Sequence, residues 1–318
     1  MEKATTVARS TSYILASKVK DYFTLIKFTL SFLVVFSSVV CYLLVPSVSY
    51  NFFSVFVLFV AGMLVTGAAN AINQTVEKDT DALMKRTASR PVASGKMSER
   101  EGWAFAIITG VAGILMMWYF FNFASALLSL FSLFLYSFIY TPLKKVNSIS
   151  VLVGAFPGAL PCLIGWVAGT GIINPFGTFQ GLTASGDVAT FTNAGGYVLF
   201  AIQFIWQFPH FWAIAWLAHK DYDNAGFKLL PSTKGPTRFT AVQTVIYSML
   251  MVPVGMLPYF FDISGLLAFW ILLACNLWMV YVSIMLLVKM NAGAARKVMF
   301  SSYFYLMIVF LALLFDKV

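Results

Sequence analysis

Charge is scarce in this sequence. Asp, Glu, Lys and Arg make up 10% of its 318 residues, where a soluble domain carries about 25%. With 60% hydrophobic residues and a mean hydropathy of +0.84, that shortage excludes a soluble globular fold. Cysteine is nearly absent too. Cys41, Cys162 and Cys275 match no metal-binding spacing, and all three sit in apolar runs, so they read as small core residues. No Lys/Arg array lies on a soluble domain, so the net charge of +9 is not a nucleic-acid footprint. No cleavable signal peptide is evident: the first apolar run starts late and is long enough to span a bilayer.

What is abundant is the long apolar run. Nine such runs, at 28–45, 52–72, 102–120, 125–141, 149–169, 196–217, 240–260, 264–288 and 298–315, each approach the ~20 residues that a membrane helix needs. The expected class is all-α, a polytopic membrane protein with nine transmembrane helices. Charge placement agrees. Nine spans leave ten flanking segments on alternating sides, and one side carries every Lys and Arg except Lys317. Positive charge stays cytoplasmic, so the N-terminus and the polar loops near 73–101, 142–148, 218–239 and 289–297 are expected inside. Residues 1–318 read as one transmembrane domain. Residues 1–22 form a cytoplasmic tail with a short interfacial helix. The external segment 171–195, rich in Gly, Thr, Asn and Ser, reads as a flexible loop.

The densest polar cluster follows the second run directly, as "NQTVEKDTD" at 73–81. Asn73, Glu77 and Asp81 stand at i, i+4 and i+8, within about 80° of arc on one helical face. Asp79 falls on the far side. Two carboxylates and an amide oxygen on one face suit a hard divalent cation such as Mg²⁺, which keeps waters and bridges carboxylates to substrate phosphates. Lys85, Arg86 and Arg90 follow at once, and arginine grips phosphate oxygens in bidentate fashion. Acids for a metal beside bases for phosphate make a diphosphate site. The plainer reading is a charged juxtamembrane loop with i,i+4 ion pairs. Acids facing a bundle near membrane depth are costly, which favours the functional reading.

At this point the sequence resembles a known family. "NQTVEKDTD" is similar to the N-x-x-x-D-x-x-x-D motif of the UbiA-type intramembrane prenyltransferases, with Glu77 in place of the first Asp. "DALMKRTASRP" (81–91), "YTPLKK" (140–145), "GAFPGALPCLIGW" (154–166), "WQFPHF" (206–211) and "DYDNAGFKLLP" (221–231) resemble its protohaem IX farnesyltransferase branch. "FKLLP" and a weak second acidic motif depart from that pattern. The resemblance implies a UbiA-type bundle that transfers the farnesyl group of farnesyl diphosphate to the vinyl group of haem b, which is substrate rather than cofactor. It implies Mg²⁺ at Asn73, Glu77, Asp81 and Asp221, an inner-membrane location, and haem A synthase or the terminal-oxidase assembly as candidate partners.

The resemblance also assigns roles to single residues. Asp221 and Asp223 supply a second metal or diphosphate contact, with Lys220 and Lys228 able to neutralise diphosphate. Tyr140 and Lys144 contact the diphosphate, although Pro142 argues that the fourth helix ends between them. From the residues themselves, Gly154, Pro157, Gly158 and Pro161 break the fifth helix, either for packing through small residues or to leave room for a large planar acceptor. In the sixth, Gln203, Gln207, His210 and Asp221 share about 60° of a helical wheel, and Pro209 removes a backbone donor and is expected to open the helix next to His210. From the residues alone His210 is a hydrogen-bonded core histidine or a functional group; the resemblance adds haem contact or proton transfer. His219 is given no role. Two rivals remain: a prenyltransferase with an aromatic quinone-precursor acceptor, and a transporter, whose broken helices tend to meet at the midplane rather than gather charge at one face.

Overall fold

The computed structural model describes residues 11–183, 185–232 and 234–318. It is helical nearly throughout: α1 (Thr11–Leu25), α2 (Phe28–Leu44), α3 (Phe52–Val76), α4 (Lys78–Ala82), α5 (Glu99–Phe120), α6 (Phe123–Phe134), a π-helical turn (Leu135–Tyr140), α7 (Thr141–Leu143) and α8 (Ser150–Thr170). A hairpin of β1 (Thr178–Leu182) and β2 (Val188–Thr192) precedes α9 (Ala194–Leu217), α10 (His219–Asn224), α11 (Arg238–Phe260), α12 (Leu266–Lys289) and α13 (Ala292–Phe315).

Among the described residues, eight spans are long and apolar enough to cross a membrane. The pair formed by α1 and α2, bent by 51°, supplies a ninth. The expected nine runs all recur within a few residues, because apolar length is a local property of the chain. Short polar caps start several of them. Asn51, Ser98, Asn122 and Asn291 each accept the backbone N–H three residues on, at 2.8–3.2 Å, and so satisfy donors that a helix start leaves free. The region of the expected N-terminal tail is helical from Thr11; residues 1–10 lie outside the described residues.

α8 and α9 are the most enclosed spans. α2 and α6 pack on α8, while α11 and α13 pack on α9. Small residues let these backbones approach, as membrane interfaces require. Gly165 of α8 backs directly onto the Ser38 carbonyl of α2, where any Cβ would overlap it. Gly165→Ala therefore lowers thermal stability in detergent, by at least the ~1–3 kcal/mol typical of overpacking. An unchanged unfolding temperature would show that α2 can move away.

Two expectations about this scaffold fail. Segment 171–195 is not a featureless loop. β1 and β2 pair antiparallel, Thr178 opposite Thr192. The buried Asn193 anchors them, donating to the Ile172 and Asn174 carbonyls and accepting from Trp166 Nε1 at 2.9 Å. α8 is not broken either: it runs unbroken through Pro157 and Pro161. Each proline removes a donor, and at Pro161 a neighbouring side chain compensates. Ser132 Oγ donates to the Pro157 carbonyl that Pro161 leaves without its helical partner.

Candidate active site

The site starts at the break between α1 and α2. Lys27 there adopts a left-handed conformation, φ 49°, which ends α1 and starts α2 in a new direction. Carbonyls freed by such a break need partners. α3 supplies them: Gln74 Nε2 donates to the Thr24 and Leu25 carbonyls, and Asn70 Nδ2 to that of Ile26, at 2.9–3.1 Å. Held so, Lys27 Nζ donates to Asn73 Oδ1 at 3.2 Å. Sequence reasoning missed Lys27. Its only signal was a lone lysine opening the first apolar run.

Asn73, Glu77 and Asp81 do share one side. α3 ends at Val76, Glu77 caps it, and α4 carries Asp81 one turn further. Asn73 Nδ2 donates to Glu77 Oε2 at 2.9 Å and to Thr141 Oγ1 at 3.2 Å. Asp79 points away, its side chain 91% exposed. The loop 83–98 then folds back over buried Met84, Val92 and Met97, which delivers Arg90. Arg90 Nη1 lies 2.7 Å from both oxygens of Asp81, whose side chain is 1% exposed.

Lys144 closes the opposite side, and here the expectation about Pro142 is corrected. The fourth span does not stop at Tyr140. Its last turns widen into a π-helix, Leu135–Tyr140, and continue through Pro142 as α7. Thr141 N–H reaches the Tyr136 carbonyl five residues back, and its hydroxyl donates to the same oxygen at 2.8 Å. Such bulges re-aim side chains and often mark functional sites. This one puts Tyr140 and Lys144 a turn apart, with Lys144 turned toward Glu77 and the Tyr140 ring against Gly154 of α8. Lys144 Nζ is 2.5 Å from Glu77 Oε1, with both side chains under 10% exposed. The ammonium also lies over the rings of Tyr140 and Phe227, at 5.0 and 5.2 Å. Burial pushes the Lys144 amine below the ordinary lysine range, while Glu77 works against the shift.

The second acidic loop lies beside the first. Lys228 N–H donates to the Lys144 carbonyl at 2.8 Å. Arg86 Nη2 meets the Tyr222 hydroxyl at 3.2 Å. Met84 packs with Ala225 and Phe227. Asp221 is half-buried on α10; Asp223, Lys220, Lys228, Lys85 and Arg86 are exposed at the rim. Tyr222 and Phe227, both unforeseen, join the two loops. Among the described residues no three His, Cys, Asp or Glu side chains converge as a metal-binding group. Two carboxylates with an amide oxygen are nevertheless hard donors. Mg²⁺ is ordinarily held by one or two carboxylates, with substrate phosphates completing its shell, so these residues fit the ion. Lys27, Arg90 and Lys144 gather around Glu77 and Asp81, so the cluster also offers donors to an anion.

The polar face of α9 is not one surface. Gln203 Nε2 donates to the Gly158 carbonyl at 2.7 Å, and Gln207 Nε2 to that of Ala155 at 3.0 Å. Both are spent on holding α8. His210 turns the other way: Nδ1 shares a hydrogen bond with Ser302 Oγ of α13 at 2.8 Å, and its ring stacks on Trp206. That is the hydrogen-bonded core arrangement. Pro209 does not open α9, which runs unbroken to Leu217.

The known proteins that this chain resembles form a consistent set. The model of the UbiA prenyltransferase family matches residues 34–312. The protoheme IX farnesyltransferase of Cytophaga hutchinsonii is 40% identical over 304 residues, covering 96% of this chain and 100% of its own. That of Flavobacterium johnsoniae is 40% identical, covering 93% and 94%. Among solved structures, a digeranylgeranylglyceryl phosphate synthase superposes with a TM-score of 0.74 at 19% identity, over 94% of this chain and 98% of the other. A UbiA homolog from Archaeoglobus fulgidus bound to GPP and Mg²⁺ superposes at 0.61 and 14% identity, over 92% and 99%. At such identities the structural likeness speaks for the fold.

Proposed function

This chain belongs to the UbiA prenyltransferase family, and from that premise we propose that it transfers the farnesyl group of farnesyl diphosphate to the vinyl group of haem b. One observation carries the reading: relatives named for this reaction match nearly the whole chain at 40% identity, and the matched stretch contains the paired acids and bases of the site. The whole chain then acts as one transmembrane catalytic domain of the inner membrane. Its acid-bearing loops face the cytoplasm, as the one-sided Lys and Arg require.

The bond from the first farnesyl carbon to the diphosphate oxygen breaks, and its electron pair leaves with the diphosphate. The vinyl π pair forms the new carbon–carbon bond. The cation left on the porphyrin side chain takes hydroxide from water, and a proton is released. Lys27, Arg90 and Lys144 face the leaving group and stabilise the charge it gains. Arg86, Lys85 and Lys220 at the rim draw the diphosphate in. Tyr140 and Phe227, flanking Lys144, keep water from that side of the allylic cation. Mg²⁺, when bound by Glu77, Asp81, Asn73 and Asp221, supplies further neutralisation of the leaving oxygens. His210 is left out of these steps, because its Nδ1 is engaged by Ser302 and its ring stacks on Trp206.

Mass spectrometry of haems from membranes holding the protein, farnesyl diphosphate and Mg²⁺ tests the acceptor. The expected product is heavier than haem b by one farnesyl and one hydroxyl group. Unchanged haem b with a prenylated quinone precursor would replace the acceptor and keep the family. If neither changes with any divalent metal, a transporter becomes the better reading. Sidedness has its own test. Ala82 and Ser185 are exposed, so an impermeant thiol reagent should label Ala82→Cys only from the cytoplasm and Ser185→Cys only from outside. The reverse pattern would invert the topology.

A further inference from the structure

One hollow of the molecule shares no lining residue with the acidic site. It is a groove of about 1090 Å³ between α12 and α13. Its walls are aromatic and outward-facing: Trp278 and Tyr281 from α12, Phe300 and Phe304 from α13, each at least half exposed. Trp278 Nε1 donates to Ser301 Oγ at 3.0 Å and ties the two walls together. Lys289, Arg296 and Lys297 line one end. Among the described residues none of the three forms an ion pair. Alternation of the spans puts this end on the membrane face that carries the acidic loops.

We propose that the groove seats one acidic phospholipid, its phosphate against Lys289, Arg296 and Lys297 and an acyl chain along the aromatic walls. Charge complementarity selects the headgroup, since basic pockets between membrane helices on the cytoplasmic side attract anionic lipid. Dimensions select the chain. From Arg296 to Ile308 the wall runs about 18 Å at ~1.5 Å per residue. One leaflet of a bilayer core is about 15 Å deep. A wall one leaflet deep, charged only at its surface end, has the shape of a single lipid. Phospholipid is also the solvent of this face, so the site fills without any delivery step.

The test uses the full chain reconstituted in vesicles of equal phosphatidylglycerol and phosphatidylcholine, then extracted and weighed by native mass spectrometry. One phosphatidylglycerol per chain is expected, well in excess of phosphatidylcholine. The double variant Arg296→Gln/Lys297→Gln should lose about 30-fold of that preference, the factor expected for two interfacial cations. Ala274→Phe fills the apolar wall and leaves the cations in place; it should lower retention of both lipids together. Equal retention of the two lipids by the unmodified chain overturns the proposal, as does a double variant that keeps its preference. Haem b recovered in place of phosphatidylglycerol also overturns it and assigns the groove to a porphyrin.

Discussion

Asp81→Asn leaves the protein inserted and folded but removes transfer, by roughly 10²–10³-fold or more, the scale seen when one preorganised charge-stabilising group is lost. The argument is geometric. Asp81 is enclosed, and both its oxygens are held at 2.7 Å by Arg90 Nη1. Asparagine keeps the size and one acceptor oxygen, so Arg90 retains a partner. What disappears is the negative charge, the property a divalent cation needs. Turnover is measured at saturating Mg²⁺ and normalised to inserted protein. Near-normal turnover would end the metal role of this carboxylate. Asp79→Asn is the matched control. It removes a charge two residues away from a side chain that is 91% exposed, and activity should hold.

Lys144→Met has the largest expected effect on stability. It strands Glu77, whose side chain is 5% exposed, as an unpaired buried carboxylate. Removing one partner of a buried ion pair typically costs ~3–5 kcal/mol. Adding Glu77→Gln removes the stranded charge, so the double variant should recover most of the lost stability. Activity should stay absent, because both a metal donor and a diphosphate cation are gone. Thermal unfolding in detergent and turnover separate the two effects. A single variant as stable as the unmodified chain would mean that Glu77 finds another partner. A double variant that regains turnover would reduce the pair to a structural brace.

The site was legible in sequence where it is local. Asn73, Glu77 and Asp81 lie within nine residues, and helical periodicity alone puts them on one side and Asp79 on the other. Their partners were less legible. Pro142 signals a helix end, yet the chain absorbs it by widening into a π turn, because Thr141 can serve the Tyr136 carbonyl twice. Gln203, Gln207 and His210 cluster on a wheel, and a wheel cannot say which neighbour lies on each side. Gln203 and Gln207 serve α8, whose carbonyls sit beside them; His210 serves α13.

The sequence by itself determined the class of this protein, where its apolar spans lie and the side on which its charge gathers. Each of these follows from how many consecutive residues are apolar and where Lys and Arg interrupt them, and a bilayer reads those quantities segment by segment. Tertiary structure decided the rest: Lys27 reaching Asn73 across 46 residues, Lys144 against Glu77, His210 bound to Ser302 across 92, and a hairpin pinned by Asn193. Inside a membrane an unpartnered buried polar group is costly. Which partner such a group finds depends on how each helix is rotated against its neighbours, and side-chain packing sets that rotation only once the whole bundle has assembled.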